Sequence, residues 1–414
     1  MEKIKSIYKI MLQSILHFLK WLILGALVGV IGGAVGGVFH RLLDLVTEVR
    51  TEHSWLILLL PIGGIGIAGL YRLGKAKGKL DTNRVLEAVQ TEERVPLTMT
   101  PLIFISTILS HLFGASVGRE GAALQLGGSL GYNIGRLFRL SKVELHIIVM
   151  AGMSSVFSAL FGTPLTAAIF AIEVTYIGAV QYSGLFPCIV ASMMAYRTAL
   201  FLGITPVRFP NVAMQAVSAP TMVRALVLAF FCAMVSILLC VAIRESRKYM
   251  KKLLPNGYLR ALVGGMIIAI LTSLLHTTDY NGAGMDVVVR AIGGQAEPEA
   301  FLLKILFTAI CIGAGFKGGE IVPTLFVGAT FGCVAGPLIG LPAGFSAAIG
   351  FVALFCGVVN CPIASLMLAL EVFGGNLWIF GAVCSVSFLL SGHFGLYKSQ
   401  KFAVSKLTDE AMES

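Results

Sequence analysis

Charge placed inside apolar sequence is the feature that can do chemistry here, and it first occurs at Gly118-Arg119-Glu120-Gly121. In lipid such a charge is costly, about 2.5–3.5 kcal/mol for an Asp or Lys at the membrane centre. The flanking glycines fit a break between two half-helices, with backbone N–H groups free to point into a cavity. A helix N-terminus combines roughly half a positive charge with unpaired donors, which makes it a ready anion site. Glu120 would then be a tethered anion that occupies the site while ionised and leaves it when protonated. The alternative is an Arg119–Glu120 pair at a helix end on the surface.

Gly318-Gly319-Glu320-Ile321-Val322-Pro323 reads as a matching break. Pro323 has no N–H and suits the first turn of a helix, which leaves the N–H groups of Ile321 and Val322 near its start. Two such breaks facing each other would form one dehydrated anion site from backbone donors. A carboxylate at Glu320 repels an anion unless it is protonated, when its O–H becomes a donor. That makes Glu320 a natural proton carrier. The other reading has it pointing away and bonding backbone.

These motifs belong to a repeat of about 200 residues. Pro164-Leu-Thr-Ala-Ala-Ile-Phe-Ala-Ile-Glu173-Val174 has a counterpart in Pro362-Ile-Ala-Ser-Leu-Met-Leu-Ala-Leu-Glu371-Val372. The spacing from glutamate to proline is 44 residues from Glu120 to Pro164 and 42 from Glu320 to Pro362. Two matches in the same order divide the chain into halves, 1–210 and 211–414. Repeated halves are the usual plan of secondary transporters and related channels, with the site where the halves meet. Glu173 and Glu371 fit a structural role, such as bonding backbone, as well as a transport role. His40, His111 and His146 have no evident partner and read as structural or surface residues.

The elements that must hold these motifs are transmembrane helices. Of 414 residues, 57% are apolar and 13% charged, against roughly 25% charged in soluble domains. Runs long enough for a span of ~20 residues occur at 21–40, 55–71, 99–117, 145–175, 219–243, 258–275, 301–315 and 342–359. The fold class is an all-α polytopic membrane protein. The net charge of +10 lies in short segments between these runs. Lys3, Lys5 and Lys9, then Arg244, Arg247, Lys248, Lys251 and Lys252, then Lys398, Lys401 and Lys406 follow the positive-inside pattern. Both termini are expected in the cytoplasm of a plasma-membrane protein, with an even number of spans between the first two clusters. Basic and aromatic residues do not alternate as a nucleic-acid surface requires. The first apolar run is too long for a signal-peptide core and is read as retained. Cysteines 188, 232, 240, 311, 333, 356, 361 and 384 read as small buried hydrophobes rather than disulfide or metal groups. Neither cofactor, metal nor enzymatic activity is expected.

From about residue 20 to 402 the chain resembles the CLC family of chloride channels and anion/proton antiporters. Gly118-Arg-Glu-Gly121, followed by Gln125, is similar to the family's gating-glutamate motif, which makes Glu120 the external gate. Gly318-Gly-Glu-Ile-Val-Pro323 is similar to its second anion-binding motif, and Tyr397 stands where a tyrosine hydroxyl contacts the central anion. The resemblance implies an inverted repeat with broken, re-entrant helices meeting at the midplane, a pore in each subunit, and a homodimer. The family's Gly-Ser-Gly-Ile-Pro motif is missing, and Gly78-Lys-Leu-Asp-Thr-Asn83 stands near its place. Thr82 or Asn83 is the candidate replacement donor, and anionic Asp81 is not. The inner proton-transfer glutamate falls at Val174. The Gly-Gly-Glu of 318–320 is similar to the fluoride/proton antiporter branch, although that branch's threonine is Val322 here. The expectation is a fluoride/proton antiporter, with Glu320 assisting fluoride or its proton. A chloride channel, a chloride/proton antiporter and a non-transporting membrane component are the rivals.

Overall fold

The computed structural model describes residues 2–74, 80–91, 93–207, 209–403 and 406. Gly78 and Lys79 of the 78–83 segment lie outside the described residues. Sixteen α-helices account for nearly all regular structure among the described residues, in two runs of eight. The first run is α1 (Glu2–Glu52), α2 (Leu60–Leu73), α3 (Thr82–Gln90), α4 (Met99–Leu112), α5 (Glu120–Leu137), α6 (Lys142–Phe161), α7 (Pro164–Glu173) and α8 (Leu185–Phe201). The second is α9 (Ala219–Leu253), α10 (Gly257–Leu275), α11 (Met285–Ile292), α12 (Ala300–Ala314), α13 (Ile321–Leu338), α14 (Ala343–Val359), α15 (Pro362–Phe373) and α16 (Leu377–Leu390).

The packing repeats with the order. α5 lies on α6 as α13 lies on α14, and α1 packs on α6 and α8 as α9 packs on α14 and α16. Both close crossings use glycine: a Cβ on Gly127 would overlap the Gly152 carbonyl, and one on Gly328 the Gly350 carbonyl. Among the described residues, seven helical stretches are long and apolar enough to cross a membrane, and others are short. Large apolar side chains such as Ile62, Phe230, Phe231, Ile270 and Trp378 are exposed. In water such a surface would be unfavourable; against lipid tails it is not.

Helix ends fall where the sequence removes a donor or needs a left-handed residue. The apolar run 145–175 is not one helix. Gly162, at φ +71°, ends α6, and Pro164 opens α7 at its first position, where a missing N–H costs nothing. Asn360, at φ +58°, and Pro362 do the same between α14 and α15.

A crossed pair of caps reveals how the halves are related. Glu371 of α15 accepts the N–H of Leu165 (2.9 Å) and of Thr166 (2.7 Å) at the start of α7. Glu173 of α7 accepts the N–H of Ile363 (3.1 Å) and of Ala364 (2.8 Å) at the start of α15. Each helix therefore carries, near its C-terminal end, the anion that satisfies the other's N-terminal donors. This reciprocity requires α7 and α15 to run antiparallel, and the fold is an inverted repeat. A short parallel bridge, Tyr176–Ile177 with Lys401–Phe402, then ties the C-terminal segment to the end of α7.

Candidate anion pathway between the halves

The two glycine-flanked breaks meet. Residues 113–119 separate α4 from α5, and residues 315–320 separate α12 from α13. Gly114 (φ +81°) and Gly315 (φ +101°) turn the chain in a conformation that side chains rarely adopt. Gly118 N–H donates to the Gly319 carbonyl and Gly319 N–H to the Gly118 carbonyl, each at 2.6 Å. This antiparallel bridge is two-fold symmetric, so the repeat axis passes through it.

Glu120, the first residue of α5, is 1% exposed. Its Oε2 accepts the Arg119 N–H at 3.0 Å, and the carboxylate lies close to the start of α13, near Val322 and Pro323. Backbone of both halves thus surrounds one carboxylate. The carboxylate folds back over Gly118, where a Cβ would lie 2.7 Å from Oε2 and 3.0 Å from Pro323 Cδ. Arg119 lies alongside, with Nε 3.6 Å from Glu120 Oε1 and Nη1 3.4 Å from Asp44 Oδ1. Asp44 in turn meets His40 Nε2 at 3.0 Å. A chain of four charged or titratable groups therefore runs from a cavity of about 740 Å³, lined by His40, Asp44, Arg119 and Val322, to the buried Glu120. His40 and His111 both find partners, the second through its Nε2 at 3.4 Å from the Gly118 carbonyl.

Glu320 is placed differently from the expectation that the two glutamates occupy equivalent positions. The bridge pairs Gly118 with Gly319, and Glu120 opens α5 as Ile321 opens α13. Glu320 is therefore the counterpart of Arg119, one residue out of phase with Glu120. Its side chain pairs with the Arg247 guanidinium of α9, and its carbonyl accepts the Thr324 N–H (3.0 Å) and hydroxyl (2.8 Å). Aligning the motifs by residue type hides this shift, because Gly-Arg-Glu and Gly-Gly-Glu look alike. Arg247 carried no site role in the sequence, where it belongs to a basic cluster. The available signal was only that an acid in apolar surroundings requires a cation.

A second cavity, about 120 Å³, is lined by Asp81, Thr82, Asn83, Gln125, Gly318 and Tyr397, with Arg247 and Lys317 bringing positive charge and Asp81 and Glu320 negative charge. Tyr397 is 5% exposed and its hydroxyl has no partner within the protein. Thr82 turns its hydroxyl toward the Gly121 carbonyl at 3.4 Å and receives the Gln125 amide at 3.2 Å. Asn83 bonds Asp81 Oδ2 (3.4 Å) and accepts the Ser399 N–H (3.1 Å). Gly121 faces Glu320, whose Oε2 would be 3.5 Å from a Cβ there. Ile321 and Val322 are fully buried at the start of α13. Val174 is buried and offers only its carbonyl, which accepts the Gln400 amide at 2.9 Å. Among the described residues no group of three or more His, Cys, Asp or Glu is arranged to hold a metal.

Comparison with known proteins bears on the same features. A family model described as voltage gated chloride channel matches residues 63–392. A chloride/fluoride channel protein of Pseudomonas syringae pv. tomato is 36% identical over 398 residues, covering 94% of this chain and 88% of the relative. An H(+)/Cl(-) exchange transporter of Vibrio campbellii is 23% identical, over 84% of this chain and 81% of its own. Among solved structures, a CLC-type fluoride/proton antiporter superposes with a TM-score of 0.88 at 31% identity, covering 93% of this chain and 98% of that one. A slow cyanobacterial Cl-/H+ antiporter shares the fold at a TM-score of 0.77 and 18% identity, covering 90% and 94%. The chain belongs to the CLC family and is a multi-pass, CLC-type anion transporter.

Proposed function

We propose that the chain is a fluoride/proton antiporter rather than an enzyme, exporting fluoride with Glu120 as its protonatable gate. The observation that carries the reading is the Glu120 carboxylate, buried where the two halves meet, hydrogen-bonded by the Arg119 backbone N–H and lying close to the start of α13. An ionised carboxylate there holds the place of a transported anion. Protonation removes its charge, weakens its hold on the donors and opens the place to an anion. Deprotonation reverses the exchange, so each turn moves an anion one way and a proton the other. The inward proton gradient then drives export.

Fluoride is favoured by Glu320, a carboxyl beside the second helix N-terminus: paired with Arg247 while ionised, it becomes a strong donor once protonated and released from that pair. Fluoride is small and strongly hydrated and needs such donors. The names of the 36% identical relative and of the 31% identical structure, both of which include fluoride, support the choice. Gly118, Gly121, Gly318, Gly319, Ile321 and Val322 line the path as backbone; Tyr397 lends its hydroxyl. We place the boundary between halves near residue 210, between α8 and α9, and the protein as a homodimer in the plasma membrane with cytoplasmic termini. Val174, where a proton-transfer carboxyl is expected, favours the second reading: a chloride channel without proton coupling.

Purified protein in liposomes loaded with sodium fluoride or sodium chloride separates the readings. Anion efflux and proton uptake are recorded together. Fluoride leaving faster than chloride, with proton uptake, is the expected result. Preference for chloride contradicts the fluoride assignment, and efflux without proton uptake contradicts antiport.

A further inference from the structure

We infer that Gln125 is an anion ligand of the small cavity, supplying the first-half donor that the missing serine motif leaves unassigned. This deepens the transport reading above and rests on it.

Gln125 lies on α5 five residues beyond Glu120, about 7.5 Å along the helix axis. It is 4% exposed. Its Nε2 donates to the Thr82 hydroxyl at 3.2 Å, while its Oε1 is buried with no partner in the protein. The Tyr397 hydroxyl, also without a partner, lines the same cavity of about 120 Å³. Buried polar side-chain atoms are normally paired. Two open valences facing one small polar cavity therefore indicate a polar occupant.

The other first-half groups are committed. Asn83 is held at both ends by Asp81 and Ser399, and Asp81 itself accepts the Arg84 N–H at the start of α3. The Thr82 oxygen already contacts both Gln125 and Gly121. Its hydroxyl, however, can donate as well as accept. The Gln125 amide can therefore turn by 180° and keep its bond to Thr82, now with Oε1 accepting the hydroxyl proton. Only the long 3.4 Å contact from Thr82 to the Gly121 carbonyl is given up. The amide NH₂ then faces the cavity beside the Tyr397 hydroxyl, where Lys317 and Arg247 offset the Asp81 and Glu320 carboxylates that also line it. That arrangement suits a bare halide. The unturned amide presents an acceptor, which suits the same halide carrying a proton. Thr82 is the positioning residue and Gln125 the ligand.

Isothermal titration of the purified full-length protein with sodium fluoride and, separately, sodium chloride tests this. Gln125→Leu should weaken binding of the preferred halide about tenfold or more, the loss expected for a hydrogen bond to an ion. Gln125→Glu, which adds a like charge, should weaken it further. Thr82→Val should shift the fluoride-to-chloride affinity ratio, and Thr82→Ser, which restores the hydroxyl, should bring it back. A Gln125→Leu protein that melts as wild type yet binds with wild-type affinity overturns the inference. Should that variant fail to fold, equal affinity ratios for Thr82→Val and Thr82→Ser overturn it instead. Wild type that prefers chloride removes the fluoride reading and leaves Gln125 to be judged on chloride. Wild type that binds neither halide overturns both.

Discussion

The breaks at 113–119 and 315–320 are built alike and hold their glutamates in contrasting ways. Each contains a left-handed glycine and contributes one glycine to the bridge that joins the halves. In the first, Glu120 stands at the first helical position and turns onto the Arg119 backbone N–H, with Arg119 Nε no nearer than 3.6 Å. In the second, Glu320 stands one position earlier and pairs with Arg247 from another helix. One helical position is about 100° of rotation, so the side chains leave the break in different directions. A symmetric scaffold thereby yields one carboxylate held by a backbone donor and one paired with a cation from another helix.

The strongest break of this comparison comes from the bridging glycines. A Cβ on Gly319 would lie 2.9 Å from the Glu120 backbone nitrogen, and its neighbours there are backbone. Gly319→Ala should therefore force the joint apart, costing about 1–3 kcal/mol or more, with loss of both folded yield and transport. Gly118→Ala meets chiefly the movable Glu120 carboxylate. That protein should fold, but leak fluoride with a reduced proton-to-fluoride ratio. Equal loss of folded protein in both variants, read by size-exclusion chromatography, would show that the two glycines are not distinguished by Glu120.

Arg247→Leu sharpens the other side. It leaves Glu320 buried without its cation. Because the Arg247 side chain is 37% exposed, the expected loss is about 1–2 kcal/mol rather than that of a fully buried pair. Adding Glu320→Gln should recover much of it in a thermal-unfolding double-mutant cycle. Strict additivity would mean the ion pair contributes nothing.

The smallest effects concern the crossed caps. Glu371→Gln and Glu173→Gln should each cost about 1 kcal/mol, measured as melting temperature, without altering the proton-to-anion ratio. Loss of coupling in Glu173→Gln alone would assign it a transport role and defeat the symmetric account.

The helical membrane class, the repeat and an acid buried at the first break were legible because they are local: runs of apolar residues, a recurring proline-to-glutamate stretch, and a charge where charge is costly. Contacts set by the inverted packing were not. The sequence leaves Glu173 and Glu371 open between a structural role, such as bonding nearby backbone, and a transport role, and gives no sign that each bonds a helix start 190–206 residues away. The phase of Glu320 required the Gly118–Gly319 bridge to fix it. Arg247 reads as part of a solvated basic cluster, and only the three-dimensional course of α9 brings it to Glu320. The His40–Asp44 pair, four residues apart on one helix, is the kind of contact that spacing does reveal.

The central claim is that the Glu120 carboxylate alternates between holding the anion's place and carrying the proton. Proton uptake recorded during fluoride efflux from Glu120→Gln proteoliposomes tests it most directly. The account predicts fluoride efflux with no accompanying proton uptake and no acceleration as pH falls, whereas wild-type flux rises with acidity. Proton uptake at the wild-type ratio in that variant would contradict it.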